Sequence, residues 1–105
     1  MSGRYILDAD HNPVEEDDLF AWGRWLEAAE VRVERTIIDD VRVSTVFLGL
    51  DHSFSEEGPP ILFETMIFGG HFDQEQDRCA TWDEAVLMHH KMCERVRKYV
   101  RRRDT

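Results

Sequence analysis

Cysteine, proline and long apolar runs are all scarce in this chain, and each scarcity excludes something. Two cysteines, Cys79 and Cys93, stand among 105 residues. They lie fourteen positions apart, without the Cys-x-x-Cys spacing of a zinc or redox site, so both read as free thiols rather than as a disulfide framework. The longest uninterrupted apolar run covers only a few residues, too short for a membrane helix, and the opening Met-Ser-Gly-Arg lacks the apolar core of a signal peptide. The expectation is a cytoplasmic protein with no membrane contact. Of the three prolines, Pro59 and Pro60 are adjacent in one loop. No diagnostic catalytic or cofactor motif is present, and none of the familiar cofactors is expected.

What is there is the material of a folded domain. Hydrophobic residues make up 42% and charged residues 33% of the chain, a profile of globular rather than disordered proteins. A chain of this length builds one hydrophobic core, so residues 1–105 are read as a single domain. The net charge of −9 is unevenly spread. From Lys91 onward seven basic residues face only Glu94 and Asp104, a net of +5, which leaves −14 for the rest. Cations at a helix C-terminus complement its dipole, and an acidic body keeps the chain soluble. Nucleic-acid binders show a basic patch spread over a folded face with aromatics among the charges. Arg101, Arg102 and Arg103 at an end expected to fray from about 101 do not meet that description, so direct nucleic-acid binding is not expected.

The apolar spacing predicts an α+β fold, an antiparallel sheet of about four strands with two helices in the order β-α-β-β-β-α. Residues 4–8 form a short first strand that enters a turn of Asp8, Asp10, Asn12 and Pro13 composition. Residues 15–30 read as an amphipathic helix, with Glu15, Glu16, Asp17 and Asp18 in its first turn and Leu19, Trp22, Leu26 and Ala29 on its apolar stripe. Trp25 lies off that stripe, either widening it or left for a partner. Residues 32–38 and 41–50 form a hairpin around Asp39 and Asp40, with a turn expected to be slightly longer than two residues. Residues 61–68 form the next strand after the two prolines, and Gly69-Gly70 ends it. Thr81-Trp82-Asp83-Glu84 matches a capping box that opens a helix from Trp82 to about Val100. Its apolar side carries Ala85, Val86, His89, Met92, Cys93, Val96, Tyr99 and Val100. Both parities of the strand at 61–68 are largely apolar, Glu64 apart. Glu64 is expected to face solvent, with a cationic partner such as Arg42 as the alternative. With two helices to cover two faces, a homodimer is expected to complete one of them.

Candidate chemistry is thin. Asp8, Asp10 and Asn12 imitate the opening of a calcium loop, but Pro13 stands where the loop needs glycine and Leu19 where it needs glutamate. His89 and Cys93, spaced i, i+4, share a helix face, yet that face is apolar, which favours a hydrogen-bonded core histidine over a metal ligand. His52 and His71 fall at opposite ends of the sheet, roughly 25 Å apart at about 3.3 Å per residue, and cannot share a metal. The remaining cluster is His71, Asp73 and Cys79, near the positive end of the last helix, where a thiolate would be favoured.

The run Ser44-Thr45-Val46-Phe47-Leu48-Gly49-Leu50-Asp51-His52, the segment Pro59-Pro60-Ile61-Leu62-Phe63-Glu64-Thr65-Met66-Ile67-Phe68-Gly69-Gly70 and the helix start Thr81-Trp82-Asp83-Glu84-Ala85 together resemble a family of small bacteriophage and prophage proteins with no established activity. The resemblance covers nearly the whole chain from Arg4 and implies a phage or prophage setting, but no catalytic residue or cofactor. Two functions are therefore expected to compete. In the first, an accessory protein binds a host or phage macromolecule through its acidic surface, with Glu15, Glu16, Asp17, Asp18 and Trp25 as the contact residues. In the alternative, a small metal- or thiol-dependent enzyme uses His71, Asp73 and Cys79. The absence of any catalytic motif favours binding.

Overall fold

A computed structural model describes residues 3–53 and 57–103, so residues 54–56 of the loop before Pro59 lie outside the described residues. The elements are β1 (Tyr5–Leu7), β2 (Pro13–Glu15), α1 (Leu19–Ala28), β3 (Arg32–Ile38), β4 (Val41–Phe47), β5 (Phe63–Phe68), β6 (Gln76–Cys79) and α2 (Trp82–Arg103). The α+β class is as expected. The four-stranded sheet, however, is β3-β4-β5-β6, antiparallel throughout, while β1 pairs with β2 in a separate hairpin. Both additional strands, β2 and β6, are short. β6 is the polar edge run Gln-Asp-Arg-Cys, which offers no apolar alternation to read.

Alternation fixes which side of the sheet each residue faces. In β4, Val41, Val43, Thr45 and Phe47 are buried, and between them Arg42 is exposed and Ser44 and Val46 half-buried. The register sets Val43 opposite Ile67, Thr45 opposite Thr65 and Phe47 opposite Phe63, so one face of the sheet is continuously buried. Helix α2 lies across that face and touches all four strands. Its buried stripe packs Met92, Cys93 and Val96 on Val41, Val43 and Ile67, and Ala85 beside Leu7, Phe47, Leu62 and Phe63. Met88 joins the stripe where the sequence pattern did not place it. The capping box forms as expected: the Glu84 amide donates to Thr81 Oγ1 and the Thr81 amide to Glu84 Oε1, each at 3.1 Å. The end expected to fray from about 101 is helical through Arg103.

Helix α1 starts at Leu19 rather than Glu15, because Asp18 caps it and Glu15 belongs to β2. None of its residues is fully buried. Trp22 donates its indole N–H to the Gly49 carbonyl at 3.1 Å, and Trp25 and Leu26 are half-buried. Among the other elements α1 packs chiefly on β1. The hairpin of β1 and β2 is in turn tied to the body by Tyr5 N–H to the Gly49 carbonyl and by His11, stacked on Trp82 at 3.8 Å.

Two turns sharpen the picture. Ile38 pairs directly with Val41, so Asp39 and Asp40 make a two-residue turn, not the longer one expected. It closes because Asp39 takes a φ of +54°, a region aspartate enters more readily than most side chains. After β5, Gly70 holds a φ of +71°, and a Cβ there would lie 2.7 Å from Val41 Cγ2. Only glycine fits both the backbone and the space.

Candidate partner-binding surface

The acidic run occupies the corner where β2 ends and α1 begins, and hydrogen bonding holds it in place. Asp18 Oδ1 accepts from the amides of Phe20 (2.9 Å) and Ala21 (3.1 Å), the capping geometry that satisfies free donors at a helix start. Glu16 Oε1 accepts from the Asp18 amide at 3.0 Å. The Arg4 guanidinium donates to the Asp17 carbonyl at 2.8 Å, and the Glu16 amide to the Arg4 carbonyl at 2.9 Å. Set among these carboxylates are apolar side chains that the core does not take up. Phe20 is 75%, Leu19 54% and Val14 45% exposed. Leu19 was expected on the apolar stripe, but as the first residue of the helix it turns away from the sheet. Phe20 and Val14 escaped the sequence reading altogether. The available signal was an aromatic and an aliphatic residue beside an acidic run and off any apolar period.

Trp25 has a different role from its acidic neighbours. Its ring meets Phe47 edge-on at 5.8 Å and packs on the buried cluster of Phe47, Phe63 and Ala85. It widens the apolar side of α1.

The residues of the enzymatic alternative are not brought together. Asp73 Oδ1 accepts from the Gly69 amide at 2.6 Å, closing the turn after β5. His71 stacks on Tyr99 at 4.4 Å, near the C-terminal end of α2. Cys79 pairs with Phe63 at the opposite end of the sheet, beside the start of α2, and seventeen helical residues at about 1.5 Å each separate Trp82 from Tyr99. The helix start does not activate the thiol. Burial, followed by the Glu84 carboxylate, pushes Cys79 up to about 11. The cavity next to His71, walled by Val41, Gly70 and Tyr99, holds about 10 Å³, room for one water and no substrate.

The other polar candidates are engaged structurally. His89 is fully buried and uses both ring nitrogens, Nδ1 with Thr45 Oγ1 at 2.7 Å and Nε2 with Thr36 Oγ1 at 2.8 Å. Thr45 continues the chain to Thr65. Burial lowers the His89 pKa, with Glu34 opposing and His90 and Arg97 reinforcing the shift. Asp8 Oδ1 accepts from the amides of Asp10 and Asn12, so the calcium-like run is a self-bonded turn. Asp51 Oδ1 pins the described part of the loop before β5 through the amides of Ser53 and Ile61. Burial works to raise its pKa, and those amides together with the Ser53 side chain and His52 outweigh it to give a net lowering. Among the described residues no group of three or more His, Cys, Asp or Glu side chains is placed to hold a metal ion. No helix among the described residues is long and apolar enough to cross a membrane.

Compared with family models, curated proteins and solved structures, the chain finds no match. Its surface chemistry is therefore the basis for a functional reading.

Proposed function

We propose that this chain is an accessory protein of phage or prophage origin that acts in the host cytoplasm by binding a basic macromolecular partner through its acidic corner. The observation that carries the reading is Phe20, 75% exposed on a helix turn where the Glu16 and Asp18 carboxylates are held by backbone amides. An exposed aromatic beside an acidic run has the make-up of an interface anchor, where a few residues carry most of the binding energy. Exposed Leu19 and Val14 extend the apolar centre, and Glu15, Glu16 and Asp17 supply a rim that steers a basic partner. Fixed carboxylates reduce the ordering entropy that binding otherwise costs. The thiol- or metal-dependent alternative loses its main support, because Cys79 lies far from His71 and Asp73 and is held protonated.

The test is capture of the partner by tagged protein from infected or lysogenic cells, identification by mass spectrometry, and calorimetric titration of the two purified proteins. Phe20→Ala is expected to weaken binding at least tenfold, about 1.4 kcal/mol. Asp17→Lys is expected to slow association and flatten its salt dependence. A captured partner whose affinity is unchanged by both substitutions would refute the assignment of the corner.

A further inference from the structure

The face of the four-stranded sheet opposite α2 is covered by no other element among the described residues. In a chain of net charge −9 it is cationic. The register places Arg32 opposite Val46, Arg35 opposite Ser44 and Ile37 opposite Arg42, so alternation sends Arg35, Ile37, Arg42, Ser44 and Val46 to this side, and the register shift between Arg32 and Glu34 brings Arg32 there as well. Met66 and Phe68 follow from β5. The three arginines border a concavity of about 290 Å³ with Ser44, Val46 and Phe68 among its walls. Toward β6 the pattern changes: Arg78 is neutralised by Glu64 at 2.9 Å. No described carboxylate forms an ion pair with Arg32, Arg35 or Arg42. The Arg42 guanidinium lies 4.3 Å over the Phe68 ring, a cation stacked on an aromatic.

From this arrangement we infer that the uncovered sheet face binds a short stretch of single-stranded nucleic acid, with Arg32, Arg35 and Arg42 on its phosphates and Phe68 with Arg42 as a stacking surface for a base. A basic patch spread over a folded face, with an aromatic among the charges, is what such binders need and what the tail at 101–103 lacks. Four residues of β4 separate the partner of Arg32 from Arg42, so the cations span about 13 Å at 3.3 Å per residue. That suits about three phosphates of an extended strand.

Other occupants fit less well. A second copy in a two-fold dimer would set the same arginines against themselves. An acidic segment added as a strand would have to pair along β3, whose register breaks between Arg32 and Glu34, and a bulge disrupts the ladder such pairing needs. A concave sheet face inserts nothing into a duplex groove, which admits a helix or a projecting ribbon. The acidic remainder of the chain keeps the site short, since its repulsion is screened only beyond about 8 Å at physiological salt.

The experiment is fluorescence anisotropy of a labelled eight-nucleotide oligothymidylate with the full chain at 25 and 150 mM salt. Duplex of the same length and polyglutamate serve as unlabelled competitors. Three phosphate contacts on a single strand give a slope of about −2 in log K against log salt, a weakening of about 40-fold between the two salts. The triple variant R32Q/R35Q/R42Q, with its fold checked by circular dichroism, is expected to lose this slope. F68L, which keeps an apolar side chain but removes the stacking ring, is expected to weaken binding at least about fivefold. Absence of binding at 25 mM salt, unchanged binding by the folded triple variant, or competition by duplex or polyglutamate as strong as by unlabelled oligothymidylate would each overturn the inference.

Discussion

Replacing His89 by leucine should abolish an acid-sensitive component of stability, and the structure fixes both its sign and its ceiling. His89 is fully buried and bonded at both nitrogens to threonine hydroxyls. The neutral ring can donate at one nitrogen and accept at the other in either sense, because the hydroxyls of Thr36 and Thr45 rotate to suit. The protonated ring donates at both, and the two hydroxyls can still accept. The penalty on protonation is therefore the burial of a positive charge, not a broken hydrogen bond, and only Glu34, 4.0 Å from Nε2, offsets it. Burial thus lowers the folded-state pKa beneath the ordinary value of about 6.5. For a base shifted down, stability is fully present above the unfolded pKa. It declines as pH falls from about 6.5 toward the folded pKa, at no more than about 1.4 kcal/mol per pH unit. Between pH 7.5 and 5.0 the loss is at most about 2 kcal/mol. Urea titrations followed by tryptophan fluorescence at the two pH values measure it, and the difference between wild type and His89→Leu cancels the other four histidines. The variant should be about 1–3 kcal/mol less stable at pH 7.5, from its lost hydrogen bonds, yet show a shallower decline toward pH 5.0. Glu34→Gln should steepen the wild-type decline, because it removes the one carboxylate that compensates the cation. An identical pH dependence in wild type and His89→Leu would refute the reasoning.

Two further outcomes follow from the acidic corner and from the thiols. Asp18→Ala removes the acceptor for the Phe20 and Ala21 amides and should lower stability by about 1 kcal/mol, a fall of about 4–8 °C in melting temperature. Asp17→Ala should change stability by less than about 0.5 kcal/mol, since Asp17 is tied through its backbone carbonyl; calorimetric melting of the pair checks both. With Cys79 pushed up to about 11, about one thiol in a thousand is ionised at pH 8. Iodoacetamide should therefore label Cys79 far more slowly in the native protein than in urea, and equal rates by peptide mass spectrometry would contradict the burial of this thiol.

How far the fold could be read in advance depended on the kind of signal. The capping box at Thr81 and Glu84 and the hydrophobic stripe of α2 are local patterns and appear as expected. The strand read at 41–50 is present but ends at Phe47, and β5 ends before Gly69-Gly70 as expected. Both short strands lacked such a signal. β2 contains a proline and follows a turn, and β6 has no apolar residue before Cys79, so only pairing with neighbours distant in sequence makes them strands. The acidic run was visible, but as a helical first turn. That Asp18 alone caps α1 while Phe20 stays outside the core depends on how the corner meets β1. His71, Asp73 and Cys79 are close in sequence yet separated by β6, whose extended run carries Cys79 to the far end of the sheet. Arg35 and Arg42 were equally plain in the sequence. They become a face only once the two-residue turn at Asp39 and Asp40 sets them side by side with Phe68.

The buried polar chain explains why that face is well defined. An apolar sheet face tolerates neighbouring hydrophobic registers, and a slip of one residue in β4 would carry Arg42, Ser44 and Val46 inward and Val43 and Thr45 outward. Thr65, Thr45, His89 and Thr36 come from β5, β4, α2 and β3 in turn. Any slip between these elements would leave a buried hydroxyl or imidazole nitrogen without its partner, at about 1–3 kcal/mol for each group. One continuous hydrogen-bond chain therefore ties three strands and the helix to a single register, a penalty that purely hydrophobic packing does not impose. The same register that buries His89 places Arg32, Arg35 and Arg42 together on the opposite side. The polar centre of the core and the cationic outer face are thus two consequences of one alignment.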